Sequence, residues 1–271
     1  MALEDAPMAR TKPNEQYNVA ASRSLADRVG AWQRRRIYAR FLEQTYVTDG
    51  DSILDVGVTS DQTYVSSNYL EAWYPHKDRI TAVGIDDASF LEQQYAGIRF
   101  VRANGLQLPF KDQSFDVVHS SAVLEHVGAA SNQQSYVREC ARVARKAVFL
   151  TTPNRWFPVE FHTVLPLVHW LPKPAFRALM RNAGREFFAD EANLNLLSRS
   201  ELCRLADTTA GFAFEVATVA LLGWPSNLLL VGHRLSQPPG NTFVLPFESA
   251  RNSEFIERAG ACVRFSLSRN I

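Results

Sequence analysis

Short apolar runs alternating with stretches of helical period set the tightest limit on how this chain can fold. After the Asp-Gly turn at Asp49 and Gly50, the run SILDVGV is followed by a helix-compatible stretch and then by ITAVGID. That is the strand, helix, strand order of a parallel unit. Further runs with strand character are IRFV from Ile98, FDVVHS from Phe115, KAVFLT from Lys146, FAFEVATVAL from Phe212 and NLLLVGHR from Asn227. Helical stretches fall between most of them, around Ser121 to Val127, Asn132 to Ala144 and Ser198 to Ala206. The pattern predicts an α/β fold built on a doubly wound, seven-stranded, mostly parallel sheet. The close pair of runs after Gly211 predicts an antiparallel edge hairpin.

The same pattern divides the chain. Residues 1–20 are polar and aperiodic and are expected to be a flexible N-terminus. Residues 21–46 read as an N-terminal helix, with Leu25, Val29, Trp32, Ile37 and Phe41 on its apolar face and Arg34, Arg35 and Arg36 mostly outward. Residues 47–234 form the main domain, with an insertion at about 152–195, and 235–271 is a C-terminal tail for which the sequence offers no role. The 29 basic and 28 acidic residues leave a net charge of +1, so no overall field favours phosphate polymers and nucleic acid is not an expected substrate. Cys140, Cys203 and Cys262 are odd in number and widely spaced, which suggests neither a disulfide framework nor a zinc site; no metal is expected. The N-terminal segment lacks the apolar core of a signal peptide and no run reaches membrane-span length, so a cytoplasmic location is expected.

In an open parallel sheet, ligands bind beyond the carboxyl ends of the strands, where the strand order reverses. At the end of the first strand stand Asp55, Val56, Gly57, Val58, Thr59, Ser60 and Asp61, and Gly57 is where the backbone can approach a ligand closely. Asp55 and Gly57 resemble the opening of the glycine-rich first motif of class I S-adenosylmethionine-dependent methyltransferases, a Rossmann-like family. That motif continues with two more alternating glycines, where this chain has Thr59 and Asp61; the hydroxyls of Thr59 and Ser60 are polar substitutes. At the end of the second strand, Asp86 and Asp87 are placed to accept hydrogen bonds from both hydroxyls of a ribose. The competing reading is that they cap the following helix.

The most specific stretch is RFVRANGLQLPFKDQSFDVVHSSAVLEHV, from Arg99 to Val127, which is similar to the matching run of small-molecule methyltransferases of that family. The resemblance implies S-adenosylmethionine as cofactor, with Asn104 accepting from the adenine amino group and Gly105 and Leu106 against the ring. It also brings Ser120 and Ser121 out at the end of the fourth strand, toward the transferred methyl. His126 is the candidate general base, since imidazole titrates near working pH; a surface or capping histidine is the alternative.

The insertion, TTPNRWFPVEFHTVLPLVHWLPKPAFRAL, is dense in aromatics and prolines and reads as a lid or substrate wall. Asn154, Arg155, Trp156 and His162 are the candidates to touch an acceptor there, His162 as a second catalytic histidine. Its apolar side chains suit either core completion and dimer contact or a peripheral membrane contact. The expected activity is methylation, by preference O-methylation, of a small-molecule, glycan or lipid-linked acceptor. The alternative is a catalytically inactive cofactor-fold protein serving as a binding or scaffold subunit, suggested by the missing glycines. A nicotinamide dehydrogenase is disfavoured because no GxGxxG follows the first strand, and a DNA amino-methylase because HSSAVLEH stands where a DPPY-like motif is required.

Overall fold

The computed structural model describes residues 25–62 and 66–235, with the backbone alone for residues 25 and 26. The expected N-terminal segment 1–20 and tail 235–271 lie outside the described residues, apart from Leu235. The chain runs through α1 (Leu25–Thr45), β1 (Ile53–Val56), α2 (Tyr69–Trp73), β2 (Ile80–Gly84), α3 (Phe90–Gln94), β3 (Arg99–Arg102), β4 (Phe115–Ser121), α4 (Ala130–Val143) and β5 (Ala144–Pro153). It then forms α5 (Lys173–Asn182), α6 (Glu186–Ala189), α7 (Arg199–Asp207), β6 (Phe212–Leu221) and β7 (Trp224–Arg234). The seven strands lie in the order β3-β2-β1-β4-β5-β7-β6. Strands β1 to β5 pair in parallel, and β7 runs antiparallel to both β5 and β6. The strand order reverses between β1 and β4, which is where such a sheet opens a ligand crevice.

Alternation along the central strands supplies two cores. Leu54, Val56, Val118 and Leu150 face α4 and α7, where they meet Tyr136, Val137 and Leu202. Ile53, Val117 and Phe149 face the other side, against Ile37 and Phe41 of α1, Tyr69 and Leu70 of α2, and Leu91 of α3. Burial on both faces explains why these strands read as unbroken apolar runs. On α4, residues Gln133, Tyr136, Val137, Cys140 and Ala141 are buried at helical spacing.

Two helices expected from the sequence are shorter in the structure. Between Ser121 and Val127 only a 3-10 turn forms, over Leu124–His126, flanked by positive φ at Ala122 and Gly128 that breaks helical geometry on both sides. After β1 the helix is five residues, ending at Tyr74, whose extended conformation is what a following proline favours. The arginines of α1 are not simply solvated. Arg34 donates to Ser66 Oγ at 3.0 Å, Arg35 lies 4.8 Å over the Trp73 ring, and Arg36 lies 4.7 Å over Trp32 and donates to the Ala220 carbonyl. Cys140 is a free buried thiol, and Cys203 is disulfide-bonded, a bond its sequence spacing did not suggest.

Beyond β5 the chain leaves the sheet, carries α5 and α6, and returns to it at α7. This excursion has its own small core of Phe176, Met180, Ala189, Leu194 and Leu196. Its return is fixed by a capping box: Ser198 Oγ accepts from the Glu201 N–H at 3.3 Å, and Glu201 Oε2 accepts from the Ser198 N–H at 2.8 Å. Replacing Ser198 by Ala removes one cap and is expected to cost about 1 kcal/mol of stability. Urea unfolding checks this, with an unchanged midpoint as the contrary result.

Candidate active site

At the carboxyl end of β1 the chain turns through Gly57 at φ 99°, a conformation a side chain disfavours. A Cβ there would lie 2.2 Å from the Val123 side chain, so the turn after β4 occupies the space that glycine leaves. The Gly57 and Val58 N–H groups both donate to the Val83 carbonyl, at 2.7 and 3.0 Å, which ties this turn to β2. Thr59 is held by Asn68: its N–H donates to Asn68 Oδ1 at 3.0 Å, and Asn68 Nδ2 donates to its carbonyl at 2.9 Å. The Thr59 hydroxyl accepts from the Asp61 N–H at 3.1 Å. Asn68 was not visible as a site residue in the sequence, because nothing local links it to a loop nine residues earlier.

At the end of β2, Asp86 is exposed, and among the described residues no hydrogen bond or ion pair engages its carboxylate. Asp87 accepts from the Ser89 N–H at 2.9 Å, and that bond holds its carboxyl below the ordinary range; the N-cap of α3 is Ser89, with no side-chain cap bond, so neither acid caps the helix as the alternative expected. Ile85, 66% exposed, presents an apolar side chain beside Asp86. Sequence reasoning missed it, since an apolar residue ending a strand run reads as core. At the end of β3, Asn104 is exposed and its Oδ1 accepts from the Leu106 N–H at 2.9 Å, so any further contact uses the oxygen's second lone pair. A Cβ on Gly105 would lie 2.5 Å from the Tyr136 ring; packing on α4 requires this glycine. Leu106 packs against the same core.

Asp55 and Ser120, expected at the cofactor, turn into the interior. Ser120 is buried on the α4 face with its hydroxyl 2.8 Å from Tyr136 Oη. Asp55 faces the other side, paired in register with His119. His119 Nδ1–H donates to Asp55 Oδ1 at 2.7 Å, and Tyr69 Oη–H donates to His119 Nε2 at 2.7 Å. Burial pushes Asp55 up to about 7 and His119 down to about 4. Glu71, also buried, is held well above its ordinary range by burial and by Asp55. Both Glu71 side-chain oxygens are buried without a hydrogen-bond partner among the described residues, a setting that favours the neutral acid.

Between the 3-10 turn after β4 and the excursion after β5, a second polar cluster forms. His126 Nε2 and His162 Nε2 are 3.1 Å apart, with His126 Nδ1 2.7 Å from the Asn193 carbonyl and His162 Nδ1 2.6 Å from Glu160 Oε1. Thr152 at the end of β5 donates to Glu125 Oε2 at 2.9 Å. Burial depresses His126 to about 3, whereas Glu160 holds His162 above its ordinary value against burial. Of the two histidines expected to be catalytic, His162 is therefore the stronger base. The structure brings these two together although 36 residues separate them.

A family model described as a methyltransferase domain matches residues 54–151. A probable S-adenosylmethionine-dependent methyltransferase of Mycobacterium tuberculosis is 36% identical over 81 residues, 28% of this chain and 28% of its own length. A ubiquinone/menaquinone biosynthesis C-methyltransferase of Xylella fastidiosa is 30% identical over 161 residues, 52% of this chain and 58% of its own length. The chain thus spans less than two thirds of either relative. The fold matches that of an S-adenosylmethionine-dependent methyltransferase from Mesorhizobium loti, with TM-score 0.51, 14% identity, and coverage of 74% of this chain and 96% of that one. A protein from Pyrococcus horikoshii matches with TM-score 0.51 and 13% identity, covering 81% of this chain and 95% of that one. Residues 54–151 thus resemble a methyltransferase domain, on a fold shared with the Mesorhizobium loti protein.

The donor set at this edge suits S-adenosylmethionine, the cofactor in the name of the Mycobacterium tuberculosis relative. An exposed glycine turn, an exposed unengaged carboxylate and an exposed amide stand in sequence at the ends of β1, β2 and β3. The candidate acceptor residues of the excursion are engaged within the protein. Asn154 Nδ2 donates to the Pro225 carbonyl at 2.9 Å, and its Oδ1 accepts from the Trp156 N–H at 3.1 Å. Arg155 Nη2 donates to the Leu171 carbonyl at 3.0 Å. Of the four residues expected to touch an acceptor, Trp156 alone is exposed, at 44%. A cavity beside Arg155, His169 and Asn195 has a volume of about 20 Å³, room for a water but not an acceptor. No helix among the described residues is long and apolar enough to cross a membrane.

The raised Asp55 carboxyl makes stability depend on pH. A carboxyl whose folded value lies above its ordinary 3.8 stabilises fully below 3.8 and loses that contribution as pH rises through about 7. His119, lowered to about 4, acts in the opposite sense between about 4 and 6.5, in wild type and variant alike. Asp55→Asn should therefore gain thermal stability relative to wild type between pH 5 and pH 8. Parallel melting curves at the two values would disprove the buried-acid assignment.

Proposed function

We propose that the protein transfers the methyl group of S-adenosylmethionine to a small-molecule, glycan or lipid-linked acceptor held between the sheet edge and the excursion after β5. The observation that carries this reading is the exposed, unengaged Asp86 at the end of β2, flanked by the Gly57 turn and Asn104. In this reading Asp86 accepts from the ribose hydroxyls, Ile85 and Leu106 flank the adenine, and Asn104 accepts from its amino group. The Gly57–Thr59 turn lies along the amino acid part. The sulfonium makes the methyl carbon electrophilic without help from the protein, so the chain's task is to align the acceptor in line and exclude water. Where the acceptor is a hydroxyl, giving O-methylation, the His126–His162 pair takes its proton, with Glu160 stabilising the imidazolium that results.

A lipid-linked or apolar acceptor, met at a membrane surface, is favoured within this range by the exposed aromatic surface of the excursion. Trp170 lies 6.2 Å from Trp156 and 6.3 Å from Trp224 of β7, and Phe161, Leu167 and Leu171 stand exposed in the same excursion. A second reading, C-methylation of an apolar ring, is favoured by the Xylella relative, whose name places it in quinone biosynthesis.

Calorimetry with S-adenosylmethionine tests the cofactor assignment. Asp86→Ala removes charge-assisted hydrogen bonds and should weaken binding about 10- to 100-fold, while Asp87→Ala should leave affinity nearly unchanged. Equal affinity in wild type and Asp86→Ala would end this assignment. Cofactor binding without methyl transfer to any acceptor class offered would favour the scaffold alternative.

A further inference from the structure

Three electron-pair donors converge beneath the excursion after β5. His126 Nε2 lies 3.1 Å from His162 Nε2 and 3.8 Å from Glu125 Oε1, and the three atoms lie within 4.8 Å of one another. Each is fixed from behind. The Asn193 carbonyl requires a hydrogen on His126 Nδ1, and Glu160 requires one on His162 Nδ1, so in the neutral rings both Nε2 atoms present lone pairs to each other. Glu160 is itself held by the N–H groups of His162 and Thr163. Glu125 Oε2 accepts from Thr152, whereas Oε1 is buried without a hydrogen-bond partner.

A proton between the two rings would relieve their repulsion and leave Glu125 Oε1 unsatisfied, in a place where an unpaired buried oxygen is costly. A divalent cation satisfies all three. Zinc bonds of about 2.0–2.1 Å to nitrogen place two tetrahedral ligands about 3.3 Å apart, close to the spacing of the two Nε2 atoms. The backing of one histidine by a carboxylate and of the other by a carbonyl is the outer-shell arrangement that orients histidines on a metal.

We infer that Glu125, His126 and His162 form a binding site for a divalent transition metal, zinc or a cation of similar preference. The inference goes beyond the methyl-transfer reading and does not rest on it. Three protein ligands leave one coordination position open. Two come from the turn after β4 and one from the excursion, so the ion ties the excursion to the sheet edge. Ion and proton compete for the same lone pairs, so loading converts the histidine pair from proton acceptor to ligand set.

The test uses the full chain, stripped with a chelator and dialysed, then titrated with Zn²⁺ by calorimetry and with Co²⁺ by visible absorption. One equivalent should bind, with the intense d–d bands of a four- or five-coordinate site, and should raise the melting temperature. His162→Gln and Glu125→Gln should abolish the bands. Glu160→Gln, which touches no metal, should weaken binding about 10- to 100-fold. Far-UV circular dichroism of each variant separates loss of the site from loss of the fold, and the positioning variant Glu160→Gln keeps the test decisive if a ligand variant misfolds. Substoichiometric binding, or Co²⁺ bands that persist in His162→Gln or are unaltered in Glu160→Gln, would overturn the assignment.

Discussion

The pairing of β1 with β4 is the constraint on which the other parts depend, because it is where the strand order reverses and both strands are buried on both faces. With no water on either side, each polar side chain on these strands must find a partner inside. Asp55 and His119 do so across the pair, with Tyr69 of α2 completing the set. On the opposite face Ser120 reaches Tyr136, which in turn donates to the Val56 carbonyl at 3.2 Å. These bonds fix α2 and α4 against the two strands whose ends define the crevice. The crevice is therefore held open by polar groups that do not themselves line it.

The same constraint explains what was legible in the sequence. Seven strands were readable because two-sided burial writes them as apolar runs, and the late hairpin because β6 and β7 are separated by a single tight turn. The identity of exposed Asp86 as an edge residue was readable because it directly follows a strand. The orientation of Asp55 and Ser120 was not. Both stand on strands next to the crevice, and the face each takes depends on strand parity and on partners 16 to 64 residues away. The pairing of His126 with His162 was hidden for the same reason: one lies in a turn after β4 and the other in the excursion, and only the closed chain brings them to 3.1 Å. Helix lengths near 121–127 and after β1 were overestimated because periodicity does not register the positive φ values and the proline that end them.

Glycine also carries more than one meaning at this edge. Gly57 resembles a residue chosen for ligand approach, yet its missing side chain makes room for Val123, just as Gly105 makes room for Tyr136. An exposed backbone turn and close interior packing are compatible demands on one residue. The chain can therefore lack the later glycines of the first motif while Asn68 and the Thr59 hydroxyl stabilise the same loop by side-chain bonds.

The excursion after β5 carries a nucleus of its own, Phe176, Met180, Ala189, Leu194 and Leu196, distinct from the two layers that flank the sheet. A segment that satisfies its own apolar residues can change sequence without disturbing the packing beneath it. Descendants of such a chain are free to remodel this roof while the sheet edge beneath it stays as it is.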